Sequence, residues 1–174
     1  MKNKNKEILI VVPVRGNSKR LKRKNILPIN NKPMFIYVIE EIKRLKHNSR
    51  IVVSTENKEI KYLCKKNNIE FISRPSSLSL DQTEKQDVVV HTTRFLTKKE
   101  KYYPDIVISL QVNTPQIKAK DLDNAIKFFK KIFPQKKIKE VFAVDENNLQ
   151  NGAFRIMTYK TVFQKTLSTK VGIF

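Results

Sequence analysis

The chain has 174 residues, which is the length of one domain with room for a single sizeable core. Forty per cent of the residues are apolar, and they recur in periodic runs, which excludes a disordered chain. The formal charge of +20 would suit a nucleic acid or another polyanion as partner. The lysines are spread along the whole sequence rather than gathered in one patch, however, so nucleic acid is not the expected partner.

Cysteine content and hydropathy narrow the cellular setting. Cys64 is the only cysteine, which excludes an intramolecular disulfide and a cysteine-rich metal site. This usage fits a reducing, cytoplasmic location. No apolar run approaches the roughly 20 residues that span a bilayer, so no membrane partner is expected.

The apolar pattern predicts alternating strands and helices. Residues 8–14 form a continuous apolar run typical of a strand that is covered on both faces. Pro33 opens a helix that stops near Asn48. The remaining strands are predicted at 51–53, 71–72, 105–110, 138–144, 153–157 and 170–174, and the remaining helices at 56–67, 83–99, 121–133 and 159–164. Phe95 is expected on the buried face of its helix, and Pro134 is expected to end the helix that begins near Asp121.

This alternation predicts the α/β class, as a three-layer α/β/α fold with a mostly parallel, Rossmann-like sheet in one domain over residues 1–174. Ligands of such sheets bind beyond the carboxyl ends of the strands. The loops after Val14, Ser54, Ser73 and Leu110 are therefore the places to look for a site.

The loop after the first strand has the chemistry of an anion cradle. Residues 15–25 combine one glycine with hydroxyl and amide side chains and six cations. Arg15 can bind a phosphate through two parallel hydrogen bonds, and Lys24 can act as a mobile point charge. Neither a Walker motif nor a three-glycine dinucleotide fingerprint is present. A solvated basic surface is the plain alternative.

Several segments together resemble the acylneuraminate cytidylyltransferases, enzymes that activate sialic-acid-type sugars with CTP. The resemblance covers nearly all of the chain, and its opening loop is the most specific part. It lies in Pro13-Val14-Arg15-Gly16-Asn17-Ser18-Lys19-Arg20, Arg23-Lys24-Asn25-Ile26, Asn31-Lys32-Pro33-Met34, Val52-Val53-Ser54-Thr55, Arg74-Pro75, Asp81, Asp87-Val88-Val89-Val90-His91, Leu110-Gln111 and Asn151-Gly152-Ala153. It implies the nucleotide-diphospho-sugar transferase fold and a reaction of CTP with a nonulosonic acid that yields the CMP-sugar and pyrophosphate.

The reaction and the resemblance together assign roles to individual residues. Arg15 and Lys24 are the expected catalytic cations, since charge grows on the oxygens of the leaving pyrophosphate. The other expected contacts are phosphate donors at Gly16, Asn17 and Ser18, cytidine contacts at Asn25 and Arg74, a bridging position between nucleotide and sugar for Gln111, and a sugar contact at Asn151.

Structural alternatives stay open for several of these residues. Asn25 could cap a turn, Arg74 could be an exposed strand end, and Asn151-Gly152 is a strong tight-turn pair. His91 is expected to be a packed, hydrogen-bonded core residue. The carboxylates of Asp81 and Asp87 are interpreted first as structural groups near a helix start.

The sequence also departs from the family. Gln111-Val112-Asn113-Thr114-Pro115 replaces Gln-Pro-Thr-Ser-Pro, and Lys85 stands where members have a serine that contacts the nucleotide base. A short turn after Asp145 replaces an insertion that exchanges between subunits in a homodimer. The sequence stops before an Asp-x-Asp pair that binds magnesium. Mg²⁺ is thus implied by resemblance without protein ligands in this chain, which we expect to be a fragment or a shortened relative.

Three functions follow as hypotheses. The first is a cytidylyltransferase for a nonulosonic acid. The second is an enzyme for the eight-carbon keto-deoxy-octulosonic acid, but that group usually has an aspartate where Asn113 stands. The third is a catalytically silent protein that binds nucleotides or polyanions.

Overall fold

The computed structural model describes residues 7–16, 18, 21, 23–164 and 166–174, without the side chain of residue 136. The strands are β1 Ile8–Pro13, β2 Pro28–Ile29, β3 Lys32–Pro33, β4 Ser49–Thr55, β5 Phe71–Ser73, β6 Ile106–Leu110, β7 Glu140–Val144, β8 Gln150–Thr158 and β9 Val171–Ile173. The α-helices are α1 Met34–Ile42, α2 Lys58–Lys66, α3 Lys85–Glu100, α4 Ala119–Lys136 and α5 Tyr159–Val162.

Seven of the described strands form one sheet in the order β5-β4-β1-β6-β8-β7-β9. Strand β1 pairs in parallel with β4 and β6, and β4 with β5 and β7 with β9 are parallel as well. Strand β8 runs antiparallel to both of its neighbours. The predicted mostly parallel sheet is confirmed. The antiparallel strand arises because a tight turn held by the Asp145 carboxylate joins β7 directly to β8.

Helices cover both faces of the sheet, which confirms the three-layer architecture. Ile8, Ile10 and Val12 belong to a large core cluster with α1, α2 and α4, whereas Leu9 and Val11 belong to a second cluster with α3 and α5. The period of two along a strand sends alternate side chains to opposite faces, so β1 is buried on both.

Two local predictions are wrong. Pro134 does not end α4, which continues to Lys136. Proline removes a single backbone donor, and so close to the end of a helix this loss is tolerated. Phe95 is 37 % exposed rather than buried, and its ring lies 5.2 Å from the ammonium of Lys99.

A small hairpin is absent from the sequence-based prediction. Strands β2 and β3 pair antiparallel, and Asn30 and Asn31 connect them with φ angles of 47° and 64°. Asparagine tolerates this left-handed conformation, so a two-residue turn of the hairpin type forms there. The hairpin leads the chain from the basic loop into α1.

No α-helix among the described residues has the length and apolar composition needed to cross a membrane.

Candidate nucleotide site

A cleft of about 540 Å³ opens at the carboxyl ends of β1, β5 and β6. It lies where the parallel topology predicts a ligand site, beyond the strand ends. Its walls come from three loops: the basic loop after β1, the segment between β5 and α3, and the loop after β6. The lining residues are Pro13, Arg15, Ser18, Lys24, Asn25, Arg74, Leu78, Ser79, Leu80, Asp81, Thr83, Lys85, Val88, Gln111, Val112 and Asn113.

Arg15 enters the cleft two residues after the end of β1. Its Nη1 lies 3.0 Å from Oδ1 of Asp81, and both side chains remain partly exposed. The sequence placed Asp81 among the structural carboxylates near a helix start. The structure instead puts it in the wall of the cleft, opposite the principal arginine. The two residues are 66 positions apart in sequence, so only the folded chain reveals the contact.

Lys24 and Asn25 begin a short 3₁₀ turn, Lys24–Ile26, and both line the cleft. The Asn25 side chain donates through Nδ2 to the backbone oxygen of Arg15 at 2.9 Å. This contact joins the two ends of the basic loop. In this conformation Asn25 therefore has the structural role given as the alternative, stabilising the turn of the loop. Its position in the cleft wall also keeps the predicted cytidine contact open.

The backbone of Gly16 is directed into the protein. Its N–H donates to Oε1 of Glu56 at 2.9 Å, and a Cβ at this position would lie 2.1 Å from Nδ2 of Asn57. Glycine is required here because the loop packs against the start of α2, where the Asn57 side chain caps the helix. Of the other predicted phosphate donors, Ser18 lines the cleft and Asn17 lies outside the described residues.

Arg74 is buried and is not an exposed strand end. Its guanidinium pairs with Oε2 of Glu56 at 2.9 Å, donates through Nε to Oγ of Ser79 at 2.9 Å, and donates to the backbone oxygen of Ser54 at 3.2 Å. Ser79 in turn donates to Glu56 at 2.8 Å. These groups join the ends of β4 and β5 to the floor of the cleft.

Glu56 is the hub of this network. Burial acts to raise the pKa of its carboxyl, but hydrogen bonds from the N–H groups of Gly16 and Glu56 and from the Ser79 hydroxyl, together with the charge of Arg74, outweigh it, so the pKa is lowered. The pKa of Arg74 is also lowered, chiefly by burial, with Glu56 opposing that shift. Glu56 is therefore an ionised partner of a buried cation, a role that sequence reasoning did not assign.

Gln111 follows β6, and its backbone N–H donates to the oxygen of Ala153 at 2.9 Å. Its side chain lies against Gly152, whose φ is +72°. A Cβ at Gly152 would come within 2.5 Å of Gln111 Nε2. Asn151 uses its own amide inside the hairpin, donating to the oxygen of Val144 at 3.0 Å and accepting from the N–H of Ala153 at 2.9 Å. It is not among the residues that line the cleft, and the turn interpretation describes this conformation.

Residues 9–167 match the family model described as "Cytidylyltransferase". The chain belongs to the cytidylyltransferase family. The match begins within β1 and extends past α5, so it covers all three loops that form the cleft.

The curated relatives of this cytidylyltransferase-family chain act on several sugar acids. It is 32 % identical over 127 residues to a 3-deoxy-manno-octulosonate cytidylyltransferase of Wigglesworthia glossinidia brevipalpis, covering 71 % of this chain and 48 % of the relative. It is 30 % identical over 151 residues to a pseudaminic acid cytidylyltransferase of Campylobacter jejuni, covering 80 % and 64 %. The chain thus spans about half to two thirds of the length of these two relatives.

Solved structures share the fold. A CMP:2-keto-3-deoxy-manno-octonic acid synthetase complexed with CTP superposes with a TM-score of 0.72 at 16 % identity, covering 94 % of this chain and 80 % of that one. At this level of identity the likeness establishes the fold, and it confirms the predicted nucleotide-diphospho-sugar transferase type.

Lys85, which stands where family members have a serine, lies in the cleft at the start of α3. Desolvation by the surrounding walls lowers the pKa of its ammonium group, although the side chain remains accessible to solvent. No carboxylate among the described residues pairs with it. Lys85 was not predicted as a site residue: the sequence marked it only as a departure from the base-contacting serine of the family, and the folded loops place it in the cleft wall.

His91 is half-buried on α3, and within the described part of the chain its Nδ1 has no hydrogen-bond partner. The prediction of a hydrogen-bonded histidine is wrong for this atom. Burial, and then the charges of Arg74 and Arg94, lowers the pKa of the imidazole, which favours the neutral ring.

The carboxylates around the cleft do not form a metal site. Across the described residues, no group of three or more acidic, histidine or cysteine side chains is placed to hold an ion. Asp81 pairs with Arg15, and Glu56 pairs with Arg74. Magnesium normally keeps one or two carboxylate ligands. Among the described residues that line the cleft, the one carboxylate is that of Asp81, and Arg15 already binds it, so this lining does not fit the ion.

Proposed function

We propose that this chain binds CTP in the cleft and takes part in transferring its cytidylyl group to a sugar acid. The observation that carries the proposal is the convergence of Arg15, Lys24 and Gln111 on one cleft at the carboxyl ends of the parallel strands. Membership of the cytidylyltransferase family supports the choice of nucleotide.

In the proposed reaction a hydroxyl oxygen of the sugar acid attacks the α-phosphorus of CTP, and pyrophosphate leaves. Such a reaction depends on positioning the two substrates and on neutralising the charge that grows on the leaving oxygens. Arg15 would bind phosphate oxygens through its planar guanidinium, and Lys24 would follow the leaving pyrophosphate as a point charge. Arg15 must exchange its contact with Asp81 for the nucleotide, and since that ion pair is partly exposed, the exchange costs little.

Asn25 and Arg74 would form the wall of the cleft on the side that receives the nucleoside. Asn25 sits on the basic loop, and Arg74 is held rigidly by Glu56, Ser79 and the backbone of Ser54. A guanidinium engaged on so many sides offers little free hydrogen-bonding capacity. Because Glu56 compensates its charge, its contribution would lie mainly in the fixed shape of the cleft floor.

The acceptor is proposed to be a nonulosonic acid of the sialic type, with Gln111 between nucleotide and sugar. Relatives named for sialic, pseudaminic and legionaminic acids support this class. The relative named for 3-deoxy-manno-octulosonate supports the eight-carbon alternative. Asn113, where that group carries an aspartate, favours the nonulosonic branch.

Two parts of the proposal concern the setting of the reaction. A cytoplasmic location rests on Cys64 being the only cysteine, without a disulfide partner. Mg²⁺ as a cofactor rests on the resemblance alone, because the described residues do not fit the ion. A homodimer of the familial kind would lack its exchanged insertion, since only a short turn joins β7 and β8.

The test is an assay with CTP, magnesium and a panel of N-acetylneuraminic, pseudaminic, legionaminic and 3-deoxy-manno-octulosonic acids, reading pyrophosphate and CMP-sugar. We expect turnover with at least one nonulosonic acid and its loss in Arg15→Ala and Lys24→Ala. Arg44→Ala is the matched control, because Arg44 is highly exposed and lies outside the cleft. CTP binding without turnover would leave a silent nucleotide-binding protein, the second candidate, which the lack of a carboxylate cluster among the described residues favours. Absence of CTP binding would refute both.

A further inference from the structure

Two side-chain hydrogen-bond donors lie close together on the β6–β8 side of the cleft. Lys85 Nζ and Gln111 Nε2 both approach the backbone of Gly152: a Cβ there would lie 3.7 Å from the ammonium nitrogen and 2.5 Å from the amide nitrogen. Lys85 belongs to α3, Gln111 to the loop after β6, and Gly152 to β8. Three separate elements therefore bring two donors to one position in the cleft wall.

Neither donor has an acceptor in the described structure. The Lys85 ammonium forms no ion pair or hydrogen bond with the described residues, and the Gln111 side chain forms none either, although the Gln111 backbone is bonded to Ala153. The two arginines that line the cleft, in contrast, each form an ion pair: Arg15 with Asp81, and Arg74 with Glu56. Lys85 is exposed, so water hydrates its ammonium, and the group is free to bind an anion that enters the cleft.

The ligand group that matches this pair is an anionic oxygen group. A lysine donates to any oxygen around its nitrogen, and a neighbouring amide adds a second, directional donor. This inference rests on the function proposed above, which offers two sources of an anionic oxygen group: the carboxylate of the sugar acid and the phosphates of CTP. The sheet order places Gln111 and Gly152 away from the nucleoside side of the cleft, because β6 and β8 lie on the far side of β1 from β4 and β5, whose ends hold Glu56 and Arg74.

We propose that Lys85 and Gln111 together bind the carboxylate of the acceptor sugar acid, and that the lack of a side chain at Gly152 leaves room for the Gln111 amide. Arg15 and Lys24 serve the phosphates from the loop after β1, at the centre of the sheet. The lysine at position 85 is then a specificity-determining residue that selects an acid over an uncharged sugar.

The experiment measures equilibrium binding of N-acetylneuraminic acid, 3-deoxy-manno-octulosonic acid and N-acetylneuraminic acid methyl ester by calorimetry, without nucleotide. CTP binding is measured separately. Wild type, Lys85→Met, Lys85→Arg and Lys98→Met are compared. Lys98 is the matched control, since it is an exposed lysine on the same helix and lies outside the cleft.

We expect Lys85→Met to weaken binding of the acid by about tenfold or more, the size of a lost hydrogen bond to a charged group, and to remove the preference for the acid over its ester. Lys85→Arg keeps the charge and should keep part of that preference. CTP affinity should change less than about twofold in every variant. Because lysine binds as the cation and the pKa of Lys85 is lowered, binding of the acid should also weaken with rising pH earlier than for an ordinary lysine.

Two outcomes would overturn the inference. A loss of CTP affinity in Lys85→Met with unchanged binding of the acid would assign Lys85 to the nucleotide phosphates. A wild type that binds CTP but none of the acids would remove the carboxylate site while leaving nucleotide binding intact. Failure to bind CTP contradicts the proposed function alone, since binding of the acid is measured without nucleotide.

Discussion

The carboxylate of Glu56 and the guanidinium of Arg74 form an ion pair at the floor of the cleft, with Nη2 and Oε2 2.9 Å apart and the arginine side chain only 2 % exposed. The same carboxylate accepts from the N–H of Gly16 and from the hydroxyl of Ser79. One acidic side chain thus joins the basic loop to the ends of β4 and β5.

Replacing Glu56 by glutamine should destabilise the fold. The amide can keep some of the hydrogen bonds, but Arg74 is left as a buried charge without its counter-charge, which costs about 2 to 3 kcal/mol. Glu59→Gln is the matched control, because Glu59 pairs with Arg23 at an exposed site and should contribute less than about 1 kcal/mol. Urea unfolding measures both. Equal losses in the two variants would contradict the assigned role of Glu56.

The stability of the wild type should fall on acidification in a window set by Glu56. Its folded-state pKa lies below the ordinary value of 4.5, so the stabilisation is fully present above that pH and is lost as pH falls through the folded pKa. The pKa of the buried Asp123, which binds His47 at 2.7 Å, is lowered as well, so protonation of Asp123 contributes to the same loss of stability at acidic pH. Unfolding free energies measured from pH 6 downward should decline less steeply in Glu56→Gln than in wild type. Parallel curves would show that Glu56 has an ordinary pKa in the folded state.

Removing the charge of Asp81 should tighten the binding of CTP. Asp81 holds Arg15 in the unliganded cleft at 3.0 Å, and Asp81→Asn would spare the nucleotide this competition. Since such partly exposed pairs contribute up to about 1 kcal/mol, the gain should be no more than about fivefold. Glu40→Gln is the control, because Glu40 pairs with Lys32 at similar exposure outside the cleft. Weaker CTP binding in Asp81→Asn would mean that the carboxylate supports the nucleotide site instead of competing with it.

Alanine at position 152 should disturb the acceptor side of the cleft through Gln111. The backbone φ of +72° disfavours a Cβ, and the added atom would lie 2.5 Å from Gln111 Nε2. We expect a loss of about 1 to 2 kcal/mol in unfolding free energy and a higher KM for the sugar acid.

A double-mutant cycle separates the strain at Gly152 from the displacement of Gln111. In the Gln111→Ala background the effect of Gly152→Ala on KM should largely disappear, because the displaced side chain is gone, whereas the loss of stability should persist. Additive effects on KM would instead indicate that Gly152 acts on the sugar through another route.

Several features could be predicted before folding because they rest on local patterns. The continuous apolar run of β1 predicts a strand buried on both faces, and β1 does lie inside the sheet between β4 and β6. The alternation of strands and helices predicts parallel crossovers, which place the loops after β1, β5 and β6 at one edge. The position of the cleft and of Arg15, Lys24 and Gln111 in it follows from that rule.

Other features depend on contacts between distant segments. The local sequence does not predict the contact of the Asp81 carboxylate with Arg15. The serine-rich stretch around Ser79 likewise does not predict a hydrogen bond to Glu56. The exposure of Phe95 and the continuation of α4 past Pro134 reflect how much surface the neighbouring elements leave uncovered and how near a helix end lies.

The layered α/β architecture and the basic loop that supplies cations to the cleft could be predicted from the chain alone, because hydrophobic periodicity and a run of charges are properties of neighbouring residues. Which cations around the cleft are already compensated depends on the fold: Arg74 pairs with Glu56 and Arg15 with Asp81, whereas no described carboxylate pairs with Lys85. Electrostatic pairing depends on distance in space and on burial, and both are set when β1, β5, β6 and α3 come together around the cleft.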